Sequence, residues 1–167
     1  MRKFIGMLIV SALLSVGQVA SAGPYEDGFA AYKQRDYATA LRLWRPLAEQ
    51  GNASAQNNLG NMYRDGQGIA RNYKESVKWF RRAAEQQHAR AQNNLGVMFA
   101  AGQGIAQDYI RAHMWFNLAA ASLSGEDGKN ATDGRNTLAA RMTSAQIAQA
   151  QEMARKCQQS KFKDCGW

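Results

Sequence analysis

Histidine and cysteine are scarce in this chain of 167 residues, which contains two of each. The histidines, His88 and His113, do not have the spacing of a metal-binding pair. No Gly-x-Ser-x-Gly motif presents a serine nucleophile. Nucleophiles, bases and metal ligands are therefore in short supply. We predict a protein that is not an enzyme, with no catalytic residue, no metal and no cofactor.

Long apolar runs are also lacking, apart from one at the N-terminus. Arg2 and Lys3 precede an apolar stretch over residues 4–19, and residues 20–22 are the small residues that signal peptidase accepts. The stretch is shorter than the roughly 20 residues that span a bilayer. We predict a signal peptide over residues 1–22, cleaved after Ala22. The mature chain would be periplasmic or secreted and have no transmembrane segment.

The only cysteines, Cys157 and Cys165, stand close together near the C-terminus. A single pair without histidine neighbours does not make a zinc site, and its spacing differs from the two-residue spacing of catalytic thiols. An exported chain meets an oxidising compartment, which favours a disulfide. The bond would close the loop over residues 158–164 and hold the terminal Gly166-Trp167 against the last helix.

Acidic residues are fewer than basic ones. Without Arg2 and Lys3, the 21 Lys and Arg fall to 19, against 13 Asp and Glu, so the mature chain carries about +6. This surplus favours acidic partners, such as anionic glycans or lipid headgroups. It equally serves as a solubility device. Nucleic acid is not expected as a partner of an exported protein.

A repeat of 36 residues is the strongest pattern that is present. Residues 48–83 and 84–119 are identical at 20 of 36 positions. The sequence Ala-Gln-Asn-Asn-Leu-Gly at 55–60 returns at 91–96. Tyr37, Tyr73 and Tyr109 also fall one period apart. Such self-similarity is typical of an array of stacked structural units.

Each unit has the features of two helices joined by a loop. Leu59 lies on the apolar stripe of a first helix, and Gly60 lacks the Cβ that would keep a neighbouring helix away. Gly66 suits the left-handed end of that helix, and Asn72 can cap the second helix, which buries Phe80. One hairpin cannot bury both of its faces. We therefore predict an all-α solenoid of stacked helix-turn-helix hairpins.

The unit resembles the Sel-1-like repeat (SLR), a relative of the tetratricopeptide repeat (TPR). Ala-x-x-x-Leu-Gly, Gly-x-Gly and Tyr-x-x-x-x-x-Trp-Phe-x-x-Ala-Ala follow one another over residues 48–120. The resemblance implies a right-handed α-solenoid of about eight helices. It suggests a TPR-like hairpin over residues 23–50 and two Sel-1-like repeats over 51–122. For residues 123–167 we expect a loop, a C-terminal capping hairpin and the disulfide tail.

The resemblance further implies a concave groove lined by the first helix of each hairpin. Amide and guanidinium side chains there could hydrogen-bond an extended peptide. We expect the duplicated Asn58 and Asn94 instead to tie loop backbone between repeats. The candidate partner-binding residues are Asn57, Asn61, Arg64, Arg90, Asn93 and Val97.

Two functional hypotheses follow. The first is a bacterial envelope adaptor that binds a protein or peptide in a polar and basic groove. The second is an accessory protein that binds anionic glycan or peptidoglycan through Lys and Arg. Binding that depends on charge should weaken at high salt, whereas binding by hydrogen bonds and apolar contact should persist.

Overall fold

The computed structural model describes residues 23–166, and its secondary structure over this range consists of eight α-helices. The all-α prediction of about eight helices is confirmed. The predicted signal peptide over 1–22 and the C-terminal Trp167 lie outside the described residues. The helices are α1 Pro24–Lys33, α2 Tyr37–Glu49, α3 Ala53–Asp65, α4 Tyr73–Glu85, α5 Ala89–Ala101, α6 Tyr109–Ser122, α7 Gly125–Ala139 and α8 Ser144–Gln159.

Consecutive helices form three hairpins, α1–α2, α3–α4 and α5–α6. The second helix of each hairpin also packs against the first helix of the next unit, so α2 contacts α3, α4 contacts α5 and α6 contacts α7. This pattern is that of a solenoid, in which each unit contacts only its neighbours. We call the surface formed by α1, α3, α5 and α7 the first-helix face.

Local sequence sets where the repeat helices begin and end. Asn72 caps α4 by accepting a hydrogen bond from the backbone N–H of Glu75. Gly66 ends α3 with φ 72° and ψ 36°, a left-handed conformation that glycine adopts without steric cost. Both roles match the predictions made for these residues.

The glycines predicted to permit close helix contact do so. A Cβ on Gly60 would lie 2.6 Å from the Phe80 ring, and a Cβ on Gly96 would lie 2.7 Å from the Phe116 ring. Phe80 and Phe116 are buried. The same contact therefore recurs in both hairpins, and an aromatic ring fills the space that a side chain would occupy.

The C-terminal region differs from the prediction. The segment expected to be a loop from residue 123 is helical from Gly125 onward, as α7. Its three glycines have low helix propensity, which is why the sequence suggested a loop. Burial of Ala131 and Leu138 accompanies the packing of α7 on α6, and this packing overrides propensity. The N-caps of α3, α5 and α7 stand 36 residues apart, at Asn52, His88 and Ser124.

The expected C-terminal capping hairpin is also absent from the described residues. Helix α8 packs against α6 and makes few contacts with α7. Its buried face, with Ala150, Ala154 and Cys157, joins the apolar cluster that α6 contributes to. A single helix, α8, thus packs on α6 where a hairpin was expected. Thr143 begins α8 with a capping box to Gln146, as the sequence indicated.

Cys157 and Cys165 are joined as a disulfide. The segment after it is also held by α6, because Arg111 Nε donates a hydrogen bond to the Gly166 carbonyl at 2.7 Å. Two independent contacts therefore fix the tail. No helix within residues 23–166 combines the length and apolarity that a membrane span requires.

Candidate functional site

One position recurs on the exposed side of the first helices. It follows the glycine that contacts the aromatic ring of each hairpin, and it holds Phe29 on α1, Asn61 on α3 and Val97 on α5. Phe29 is 44% exposed and Val97 is 40% exposed. They are the exposed large apolar residues of the described chain. The first-helix face therefore presents apolar side chains on two helices with a polar one between.

Asparagine side chains connect neighbouring first helices. Asn94 Nδ2 on α5 donates to Asn57 Oδ1 at 3.0 Å and to Asn61 Oδ1 at 3.3 Å, both on α3. Asn58 Nδ2 on α3 donates to the Tyr25 hydroxyl on α1 at 3.3 Å. Asn58 and Asn94 thus bond side chains of an adjacent first helix, and the expectation of loop-backbone bonds was wrong. These bonds fix the spacing of the helices along the face.

The three candidate binding residues on α3 are partly used by the fold. Asn57 is 5% exposed and accepts the Asn94 bond, so its amide serves helix-to-helix packing. Asn61 and Arg64 are half-buried. Arg64 donates to Asn94 Oδ1 at 3.2 Å and pairs with the adjacent Asp65 at 2.8 Å.

The three candidates on α5 differ from one another. Arg90 is exposed and pairs with Asp127 of α7 at 2.7 Å. Asn93 is half-buried, and its Oδ1 has no hydrogen-bond partner. Val97 is exposed beside a cavity between α5, α6 and α7. Of the six predicted residues, Val97 is thus the exposed apolar one, whereas the unpaired Oδ1 of Asn93 is buried.

The first-helix face is polar but carries no basic surplus. Helices α1, α3, α5 and α7 together hold five basic and six acidic residues, whereas α2, α4 and α6 hold seven basic and three acidic. The prediction of a basic groove was wrong. Sequence composition gives the net charge of the whole chain, but it does not say on which helices the basic residues lie.

Both histidines have structural positions. His88 caps α5, its Nδ1 accepting from the backbone N–H of Ala91 at 3.3 Å. Burial lowers its pKa, and the nearby Arg90 charge lowers it further. His113 lies on the buried side of α6, where burial and then Arg135 lower its pKa. Within residues 23–166, no group of three His, Cys, Asp or Glu side chains could hold a metal ion.

Sequence reasoning missed Phe29, Ala100 and Gly134 as residues of this surface. Phe29 follows Gly28, whose Cβ would lie 2.5 Å from Trp44, just as Gly60 contacts Phe80. The shorter first hairpin breaks the 36-residue period, so Phe29 does not align with Asn61 by simple shifting. An alignment of the hairpins on the glycine that contacts an aromatic ring would have placed Phe29 at the position of Asn61.

Comparison with known proteins agrees with this architecture. The Sel1 repeat family model matches residues 16–52, 53–88 and 89–122. The crystal structure of c5321, a protective antigen of uropathogenic Escherichia coli strains with an SLR fold, superposes with a TM-score of 0.75 at 26% identity. That match covers 83% of this chain and 31% of c5321, so the chain spans less than a third of that protein.

A second solved structure, a Sel1 repeat protein from Oxalobacter formigenes, is 31% identical with a TM-score of 0.57. The match covers 66% of this chain and 86% of the Oxalobacter formigenes chain. No curated protein matches the chain. Sel1 repeat proteins generally mediate protein–protein interaction and form a scaffold family. Because the three matched segments cover more than half of its residues, this chain belongs to the Sel1 repeat family.

Proposed function

We propose that this chain is a non-catalytic adaptor of the bacterial cell envelope that binds a protein or peptide along its first-helix face. One observation carries the proposal. Phe29 and Val97, at equivalent positions on α1 and α5, are exposed to solvent, whereas the other large apolar side chains of the described residues are buried or half-buried. Exposed apolar groups rimmed by polar residues are typical of interaction sites.

The polar residues between them suit an extended polypeptide. Asn61 and Arg64 are partly accessible and already oriented by bonds to Asn94. Side chains held in place lose little conformational entropy when a partner binds. An amide and a guanidinium group together can pair with peptide backbone and with a carboxylate.

Charge distribution argues against the anionic-glycan alternative at this face. Arg64 and Arg90 are each beside a carboxylate, Asp65 and Asp127. Binding here should therefore rest on hydrogen bonds and apolar contact and should persist at high salt. A partner lost entirely between low and high salt would favour binding at the basic second helices instead.

Site-specific photocrosslinking in the intact envelope of the native host tests the proposal. Benzoylphenylalanine would replace Asn61 or Val97 on the first-helix face, and Lys78, exposed on α4, as the control position. We expect a discrete protein adduct from positions 61 and 97, retained after a high-salt wash, and none from position 78. Equal adducts at all three positions, or adducts at position 78 alone, would contradict the proposal.

The envelope location rests on the predicted signal peptide and is compatible with the Cys157–Cys165 disulfide. N-terminal sequencing of the protein recovered from a periplasmic extract should begin at Gly23. Recovery of the uncleaved chain from the cytoplasm, with both thiols free, would contradict the proposed location.

A further inference from the structure

We call the place where two first helices meet the second helix between them a joint. At the joint between α3, α4 and α5, side chains fill the first-helix face. Phe80 of α4 lies beneath Arg64 of α3, whose guanidinium carbon is 5.9 Å from the ring centroid. A hydrogen bond to Asn94 holds the guanidinium in place. Met98 of α5 is fully buried in the same region. Little of the Phe80 ring is left for a partner to contact.

The next joint, between α5, α6 and α7, is open. Val97 and Ala100 on α5 and Gly134 on α7 line an opening beside the buried Phe116 ring, and a Cβ on Gly134 would lie 2.9 Å from that ring. A cavity of about 330 Å³ lies there, largely open to solvent, and Leu138 forms part of its wall. One period earlier, the corresponding residues are Asn61, Arg64 and Met98. The joints share their packing glycine and aromatic, and they differ at these three positions.

The cavity has the chemistry of a socket for an apolar side chain. Its lining is almost entirely carbon, with Thr137 as the polar side chain among the lining residues. Its volume is large enough for a leucine or phenylalanine side chain. It opens beside the exposed Val97, on the face that we propose binds a partner. Pockets of this kind, apolar with polar groups at the edge, are typical ligand sites.

The arginine on the preceding first helix is Arg64, at the position of α3 that is equivalent to Ala100. Its guanidinium bonds Asn94, which stands one helical turn before Val97 on α5. Its own carboxylate partner, Asp65, is an exposed neighbour, and such pairs are weak. An incoming carboxylate can therefore compete for Arg64. The occupant that fits is a segment with an apolar side chain for the cavity and an acidic residue beside it.

Spacing along the face favours an extended segment. Phe29 lies two first helices before Val97, and packed helices are about 10 Å apart, so roughly 20 Å separates the two apolar positions. An extended chain rises about 3.3 Å per residue and covers that distance in about six residues. One strand-like segment could therefore contact Phe29, Arg64 and the cavity together.

We propose that the cavity over Phe116 is the anchoring socket for an extended peptide segment of a protein partner, one that also carries an acidic residue for Arg64. One aliphatic or aromatic side chain of the peptide enters between Val97, Ala100 and Leu138, and a neighbouring carboxylate pairs with Arg64. This inference rests on the proposed function, because it assumes that the first-helix face binds polypeptide.

The test uses a phage-displayed random dodecapeptide library selected on the full chain. Enriched peptides are synthesised with a fluorophore, and their affinities are measured by fluorescence anisotropy. A100R installs the residue found at the equivalent position of α3, where the fold accepts arginine. V97N likewise installs the residue of α3. A121R, at an exposed position of α6, is the charge-matched control.

We expect enriched peptides that pair a large apolar residue with a nearby acidic one. A100R should weaken their binding by about tenfold or more, because burial of one large apolar side chain is lost. V97N should weaken it less, and A121R should leave it unchanged. Alanine in place of the peptide's apolar residue should reproduce the A100R loss.

The alternative outcomes are distinguishable. Peptides whose binding is reduced by R64A but is insensitive to A100R would overturn the socket while leaving the first-helix face as the binding surface. Failure to select any peptide that prefers this chain would overturn the socket and count against the proposed function. Self-association of the chain abolished by A100R would assign the cavity to a second copy and overturn the peptide occupant.

Discussion

The two consecutive repeats over residues 48–83 and 84–119 share their packing and differ in what they present to solvent. Gly60 and Gly96 meet Phe80 and Phe116 in the same way. Arg64, by contrast, becomes Ala100 one period later. The repeat pattern therefore specifies the contacts between helices. The variable positions of the first helices carry the surface chemistry, and therefore the candidate partner site.

The largest effect is expected where the repeats are most alike. Leucine in place of Gly60 or Gly96 places its first side-chain atom within 2.7 Å of a buried ring. Overpacking should lower the free energy of unfolding by about 3 kcal/mol, the upper end of the usual range. The two variants should behave alike in urea denaturation. V97L, beside Gly96 but exposed, should stay within about 0.5 kcal/mol. Wild-type midpoints for both glycine variants would refute close packing.

The disulfide tail is joined to the second of these repeats by the bond from Arg111 to Gly166. Replacement of both cysteines by serine should cost about 2 kcal/mol, since a short loop loses little entropy on closure. The far-ultraviolet helical signal should remain nearly intact. Hydrogen exchange should quicken in α6 and α8 and not in α3 and α4. Loss of the helical signal would show that the tail supports the whole array.

The two repeats also differ in the hydrogen bonding of equivalent asparagines. Asn57 Oδ1 accepts a bond from Asn94, whereas the equivalent Asn93 Oδ1 has no partner. N57A should cost about 1 kcal/mol, because the Asn94 amide loses one of its two acceptors and keeps Asn61. N93A should be nearly neutral. Equal losses in thermal denaturation would mean that the two joints are equally bonded.

The smallest effect concerns the caps of the two first helices. Asn52 caps α3 and cannot titrate, whereas His88 caps α5 through an unprotonated Nδ1. The folded-state pKa of His88 is lowered, so the unfolded chain binds the proton more tightly. Stability should fall as the pH drops below about 6.5. H88N, which copies the cap of α3, should lose less stability between pH 7.5 and 5.5. An identical loss in both proteins would exclude His88 from the pH response.

Sequence alone predicts most of the repeat architecture, because glycine, aromatic and cap positions recur at a fixed period. Gly66 and Asn72 could be assigned their roles from residue type and spacing. Helix α7 could not be predicted in this way. Its glycines disfavour a helix, and only the position of Ser124, one period after His88, signals that the array continues.

The candidate site was less predictable than the fold. Asn57 has the polarity of a binding residue, but the bond from Asn94 that buries it depends on the distance between two helices. The cavity over Phe116 is lined by the small residues Ala100 and Gly134. An empty volume between three helices has no local sequence pattern. Its existence follows only from the assembled joint.

Methyl NMR of the full chain, titrated with a selected peptide, shows whether the peptide binds over Phe116. We expect the methyl signals of Val97 and Leu138, beside the cavity, to shift and saturate with the peptide. The signals of Val77 on α4 and Leu41 on α2 should stay in place. Shifts confined to Val77 and Leu41, with Val97 and Leu138 unmoved, would contradict binding at the first-helix face.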